Sequence, residues 1–154
     1  MIETIHHGEQ ILSIIIRSNY QKNGISFFTP NEFSQQLAYM QRPKDYVIAP
    51  HVHNHIAREV TLTKEVLYIK SGKVRVDFYD DEKQYIESRI LLGGDVILLA
   101  HGGHGFSMLE TTEIIEVKQG PYMAERDKVR FEPVAPELVK LVTESDNLVA
   151  SGEQ

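Results

Sequence analysis

The chain contains no cysteine, which removes disulfides, thiolate metal ligands and a cysteine nucleophile from consideration. It has no apolar run approaching the roughly 20 residues that cross a bilayer. Met1 to Gln10 lacks a basic region ahead of an apolar stretch, so it does not read as a signal peptide. A cytoplasmic protein without membrane contact is the expectation. There is no basic excess either: 16 Lys and Arg against 22 Asp and Glu give a formal charge of -6, which argues against non-specific nucleic-acid binding. Internal repeats, low-complexity blocks, linkers and phosphate-cradling GxGxxG or Walker patterns are all missing. What remains is a chain of 154 residues, 42% apolar and 25% charged, the size and composition of one soluble globular domain.

Hydrophobic alternation predicts strands through most of the chain. Glu65 to Lys70 and Val74 to Tyr79 read as a hairpin about Ser71-Gly72-Lys73, with Val74, Val76 and Phe78 turned to a core. Gln84 to Leu92, Phe106 to Leu109 and Glu113 to Lys118 follow as further strands. Val96 to Leu99 is apolar on both faces, as a sandwich or barrel interior allows. Upstream, Ile11 to Ser18, Ile25 to Phe28, Leu37 to Arg42 and Tyr46 to Ala49 are predicted strands, with a turn near Thr29 to Phe33. Helical spacing is confined to Pro136 to Val149. Many short strands with frequent turn signals indicate an all-β domain, closed or sandwich-like.

The chemistry concentrates in two places. His51, His53 and His55 alternate along an extended segment, and alternate residues share a face, so His51 and His53 can project together. His55 joins them only if the strand stays regular past Asn54, a turn-favouring residue. Glu65 shares its phase with Leu67 and Ile69, so it sits at a barrel mouth or is buried with a partner; Glu59 competes for the same carboxylate role. His101 and His104 flank Gly102-Gly103, and His104, nearer the following strand, is the one expected inside, with His101 exposed. Imidazole and carboxylate together suit Fe, Mn, Ni, Zn or Cu as divalent ions.

These residues resemble the two motifs of the cupin superfamily. His51, His53, Glu65 and, after six intervening residues, Gly72 match the first; Gly94 to His104 matches the second, and the likeness covers roughly residues 45 to 120. The resemblance implies a jelly-roll β-barrel spanning residues 1–135 with a tail over 136–154. It also implies a divalent transition metal held by His51, His53, Glu65 and His104, with His55 a further possible ligand. Two departures stand out. Eleven residues, Asn54 to Lys64, separate His53 from Glu65 in place of the family's three or four, and Ala100 replaces the second motif's proline, with His104 arriving one residue early.

A more distant likeness is to small cupins of bacterial polysaccharide and deoxysugar metabolism, including nucleotide-sugar ketoisomerases and dehydrorhamnose epimerases. The resemblance therefore implies an enzyme acting on a small oxygenated metabolite (sugar, nucleotide-sugar or keto acid), with Arg58, Glu59 and Tyr68 as substrate-contacting or catalytic candidates. A metal-free isomerase with a histidine base, and a non-catalytic metal- or ligand-binding protein, are the alternatives. A homodimer is expected by the same resemblance.

Overall fold

The computed structural model describes residues 1–123 and 126–143. Among these residues ten strands run in chain order: β1 (Ile2–His7), β2 (Gln10–Ile16), β3 (Gly24–Phe27), β4 (Ala38–Gln41), β5 (Glu65–Ser71), β6 (Lys73–Tyr79), β7 (Tyr85–Leu92), β8 (Val96–Leu99), β9 (Gly103–Met108) and β10 (Glu113–Lys118). They form a five-stranded sheet ordered β1-β2-β8-β5-β10, a three-stranded sheet ordered β7-β6-β9, and the separate pair β3-β4. The ladders between these strands are all antiparallel. The all-β class is as expected, and among the described residues no helix is long and apolar enough to cross a membrane.

The two larger sheets share one core. Leu67 and Ile69 of β5, Leu12 and Ile15 of β2 and Ile97 and Leu99 of β8 pack with Val74, Val76 and Phe78 of β6 and Leu91 of β7. Val74, Val76 and Phe78 therefore face the core as their alternation predicts. However, β5 and β6 are not a hairpin: β5 pairs with β8 and β10, and β6 with β7 and β9. The apolar faces of both strands have to meet, and laying the strands in opposite sheets accomplishes this where lateral pairing would not. Gly72 makes the corner. Its φ is +89°, and a Cβ there would lie 2.2 Å from the Thr111 carbonyl oxygen, a position only glycine tolerates.

The chain changes sheet in the same way between β7 and β8, β8 and β9, and β9 and β10; within β5 to β10 only β6-β7 pairs as a hairpin. The outer face of the five-stranded sheet is apolar as well. Ile14, Ile16, Leu98, Val66 and Val96 pack against Leu37, Tyr20, Phe28 and Phe33 from the chain around β3 and β4. This explains the apolar character of both faces of β8.

β1 carries no clean alternation because one of its inward residues is charged. Glu3, 4% exposed, accepts hydrogen bonds from Arg17 and, at 2.9 Å, from Arg89, while Arg17 also donates to Asp95 at 2.8 Å. These groups join β1, the end of β2, β7 and the start of β8, and each of these buried charges has an opposite charge beside it, as burial requires.

Two expectations are corrected. Tyr46 to Ala49 is not a strand; it lies in the irregular segment between β4 and β5, in which every residue from Arg42 to Thr63 is exposed. Over its described residues, 136–143, the tail has a single 3-10 turn at Pro136–Leu138 where a helix was expected. Beyond it the chain is extended and lies along β7, where Ser88 donates its N–H to Lys140 O at 2.9 Å and Val142 donates to Ser88 O at 3.1 Å. The free edge of β7 offers these backbone groups partners that an isolated short helix would have to find within itself. The remainder of the expected helix, residues 144–149, lies outside the described residues.

Replacing Gly72 with Ala is expected to lower stability by more than about 1 kcal/mol, and by more than Gly8→Ala. Gly8 also has a positive φ, but a Cβ there meets nothing within 4 Å. Chemical denaturation of both variants checks this; equal losses would contradict the steric role of the Gly72 corner.

Candidate functional site

Glu65 is the first residue of β5 and His104 the second of β9, so the two come from different sheets. Glu65 shares the inward phase of Leu67 and Ile69, and its position at the strand end puts its carboxylate at the margin of the core. His104 lies opposite Phe78 across the β6-β9 ladder. It is placed by Gly102, whose φ is +69° and where a Cβ would lie 2.2 Å from Tyr79 O, so that no side chain fits. His104 Nε2 lies 3.2 Å from Glu65 Oε2, with the imidazole N–H donating. Lys118 Nζ is 3.8 Å from the other carboxylate oxygen and 3.1 Å from Glu116.

The contact holds the Glu65 carboxyl below its ordinary range. Its hydrogen bond to His104 is the largest cause, opposed by burial and reinforced by the positive charge of neighbours including Lys118. Glu65 is therefore ionised at neutral pH. Its separation from Nε2 also has chemical meaning. Two N or O ligands at about 2.1 Å from one ion lie roughly 3.0 to 3.4 Å apart for angles between square and tetrahedral. The 3.2 Å spacing falls in that interval, as it does within the range of an N–H···O hydrogen bond.

Glu65 and His104 open into a cavity of about 630 Å³, within the range of small-molecule sites. Tyr79, Phe106, Lys118, Lys128, Arg130 and Phe131 are among its walls. Phe131 stacks edge-on against Tyr79 at 5.0 Å, and the Tyr79 hydroxyl accepts the Val134 N–H at 2.9 Å. Burial raises the Tyr79 pKa, so this phenol stays protonated. Motif spacing singled out none of these lining residues. Lys128 to Phe131 enter because the chain after β10 returns across the cavity, and only the tertiary path reveals that.

The other sequence-predicted residues lie elsewhere. His51, His53, His55, Arg58 and Glu59 all sit on the exposed segment between β4 and β5. His51 and His53 are neighbours, their rings 5.4 Å apart and nearly perpendicular. His51 Nδ1 lies 3.0 Å from Ala49 O; with the proton on Nδ1, Nε2 keeps its lone pair, the arrangement a metal-binding imidazole uses. Tyr68 lies on the outer face of β5, in the phase opposite to Glu65, and is exposed. His101, expected in solvent, is partly buried instead: Nδ1 is 2.9 Å from Ile11 O, and its ring meets Phe33 edge-on at 5.4 Å. Among the described residues, no three His, Asp or Glu side chains converge as a metal-holding group. The structure thus brings together Glu65 and His104, and separately His51 and His53.

Comparison with known protein families, with curated proteins and with solved structures finds no match.

The Glu65 pKa carries a linkage of definite sign. A carboxylate whose folded-state pKa is depressed contributes stability above its unfolded pKa, and that contribution is lost as pH falls through the lower, folded value. His104→Ala is expected to move the Glu65 titration, followed by carboxyl ¹³C NMR, upward and to shift acid unfolding to higher pH. An unmoved titration would show that His104 does not hold the carboxylate.

Proposed function

We propose that this chain is a metal-dependent enzyme of cupin type, acting on a small oxygenated metabolite such as a sugar, nucleotide-sugar or keto acid. The observation that carries the reading is the Glu65–His104 pair at the head of the cavity, spaced like neighbouring ligands of one ion. His51 and His53 would supply the other two ligands. The repeated crossing between facing sheets from β5 to β10 supports a jelly roll, and β9 is where the histidine segment would add to it. The three-stranded sheet has one edge, β7, lined by residues 140–142. Among the described residues its other edge, β9, is paired only with β6. A strand laid along β9 would bring His51 and His53 beside His104.

Bound there, a divalent ion supplies Lewis acidity at a carbonyl or enediol oxygen. The chain's own residues do the rest. Glu65, ionised at neutral pH, balances the positive charge. Lys118, Lys128 and Arg130 along the cavity bind and orient an anionic group on the substrate. Tyr79, kept protonated, holds the return segment through Val134 and so fixes the position of Phe131. The aromatic rings limit water in the site.

The same contact favours a second reading, a metal-free isomerase or epimerase. An imidazole oriented by a carboxylate is a proton-abstracting pair, and His104 with Glu65 has that form. Exhaustive chelation separates the two: activity lost with the ion supports the first, and activity retained supports the second.

Elemental analysis of untagged protein, with titration of Co(II) or Zn(II) into the stripped form, tests the metal directly. Wild type is expected to bind about one ion per chain, and Glu65→Gln or His104→Ala to weaken binding by at least about 100-fold, beyond the usual effect of altering a residue that only supports a ligand. Wild type without bound first-row metal and without rebinding would overturn the reading.

A further inference from the structure

The segment between β4 and β5 is anchored at both ends. Gln41 is paired with Gly24 in the β3-β4 ladder. Lys64 is buried, its N–H donates to the Gln119 side chain, and its ammonium lies 5.0 Å from the Phe33 ring centroid. The middle of the segment is open to solvent, with Val52 89% exposed and Val47 79%, whereas Val60 to Thr63 border the chain after β10 and Leu62 and Thr63 line the Glu65–His104 cavity. The segment nevertheless has the pattern of a strand with one covered face. One phase holds Tyr46, Ile48, Val52, Ile56, Val60 and Leu62, interrupted by Pro50, Asn54 and Arg58; the other holds His51, His53, His55 and Glu59, together with Val47, Ala49 and Ala57. Period-two separation of this kind marks a strand lodged between two surfaces of different character.

We infer that this arm serves a second copy of the chain: two protomers exchange residues 42–59, and each lays its histidines along the β9 edge of the other. The inference rests on the reading of Glu65, His104, His51 and His53 as one site, and it specifies the source of the two histidines. If the arm folded back on its own β9, its histidine phase would be satisfied while its apolar phase stayed in water. The outer face of β5 and β10, where Tyr68, Ile115 and Val117 are 41%, 53% and 56% exposed, would stay open too. That face is the uncovered continuation of an apolar surface which the chain around β3 and β4 already buries over β2 and β8. A two-fold exchange provides both kinds of surface at once, because each copy carries an arm and a patch, and an isologous interface pairs each with its counterpart. The long interval between His53 and Glu65 has a use in this arrangement: it lets an arm leave the body that holds Glu65. The site is then incomplete in a single chain, which holds two ligands at the cavity and two on the arm.

Subunit complementation tests this. One variant carries His51→Ala and His53→Ala, the other Glu65→Gln and His104→Ala, so that neither retains a whole site on one chain. Each alone is expected to lose Co(II) binding while keeping the wild-type circular dichroism spectrum. Co-expressed, they are expected to recover about a quarter of the wild-type cobalt content, because random assortment makes half the dimers mixed and each mixed dimer has one complete site of two. No recovery beside a wild type that binds cobalt would overturn the exchange and leave the metal reading intact.

A metal-independent readout decides the case in which wild type binds no ion. The chain has no native cysteine, so Asn54→Cys and Met108→Cys in separate chains can be mixed and treated with a short bis-maleimide. A covalent heterodimer supports the exchange. Cross-linking confined to single chains of the double variant overturns it.

Discussion

The contact between Glu65 and His104 joins two sheets that share no backbone ladder. β5 and β9 face each other across the core without sharing a ladder, so the 3.2 Å spacing of their polar ends depends on how that core is packed. Leu67 and Ile69 on one side and Val76 and Phe78 on the other are essentially solvent-free, and close-packed interiors transmit small displacements instead of absorbing them. A carboxylate and an imidazole at the rim can then be held at ligand spacing by side chains that carry no chemistry themselves.

That arrangement depends on the chain's repeated passage from one sheet to the other. Each passage needs a corner, and at Gly72 and Gly102 the corner brings backbone against backbone so closely that a Cβ would collide with a carbonyl oxygen. Gly72 follows the strand that begins with Glu65, and Gly102 precedes the strand that bears His104. The two glycines thus set the registers of the two polar residues from opposite sides of the core. The buried charges around Glu3 act further away, tying β1 to β2, β7 and β8 at the other margin of the five-stranded sheet.

Much of this was legible in the sequence, and what was not has physical causes. The alternation of Val74, Val76 and Phe78 identified an inward face, because burial on one side of a strand imposes period two. Alternation cannot say whether the next strand lies beside or opposite, and so β5 and β6 read as a hairpin. β1 went unread because Glu3 occupies an inward position that its ion pairs make tolerable. The extended tail at 140–142 was obscured by helix-like spacing of Leu138, Leu141 and Val142, which local pattern cannot weigh against an available sheet edge. Glu65 and His104 were legible as a pair because motif spacing fixes their positions at strand ends. Lys118, Lys128 and Arg130 were not, since they reach the cavity through the path of the chain after β10. The histidine segment was legible in chemistry and not in place: its pattern announces a strand, whereas in the single chain it pairs with nothing among the described residues.

The central claim is that Glu65 and His104 form half of a four-ligand metal site whose other half is the His51–His53 pair. X-ray absorption of the Co(II)-loaded protein addresses it most directly, because multiple scattering counts the imidazoles around the ion. The account predicts three imidazoles and one carboxylate in wild type, falling to two imidazoles in His51→Ala. A single imidazole in wild type, or an imidazole count unchanged by that replacement, would contradict it.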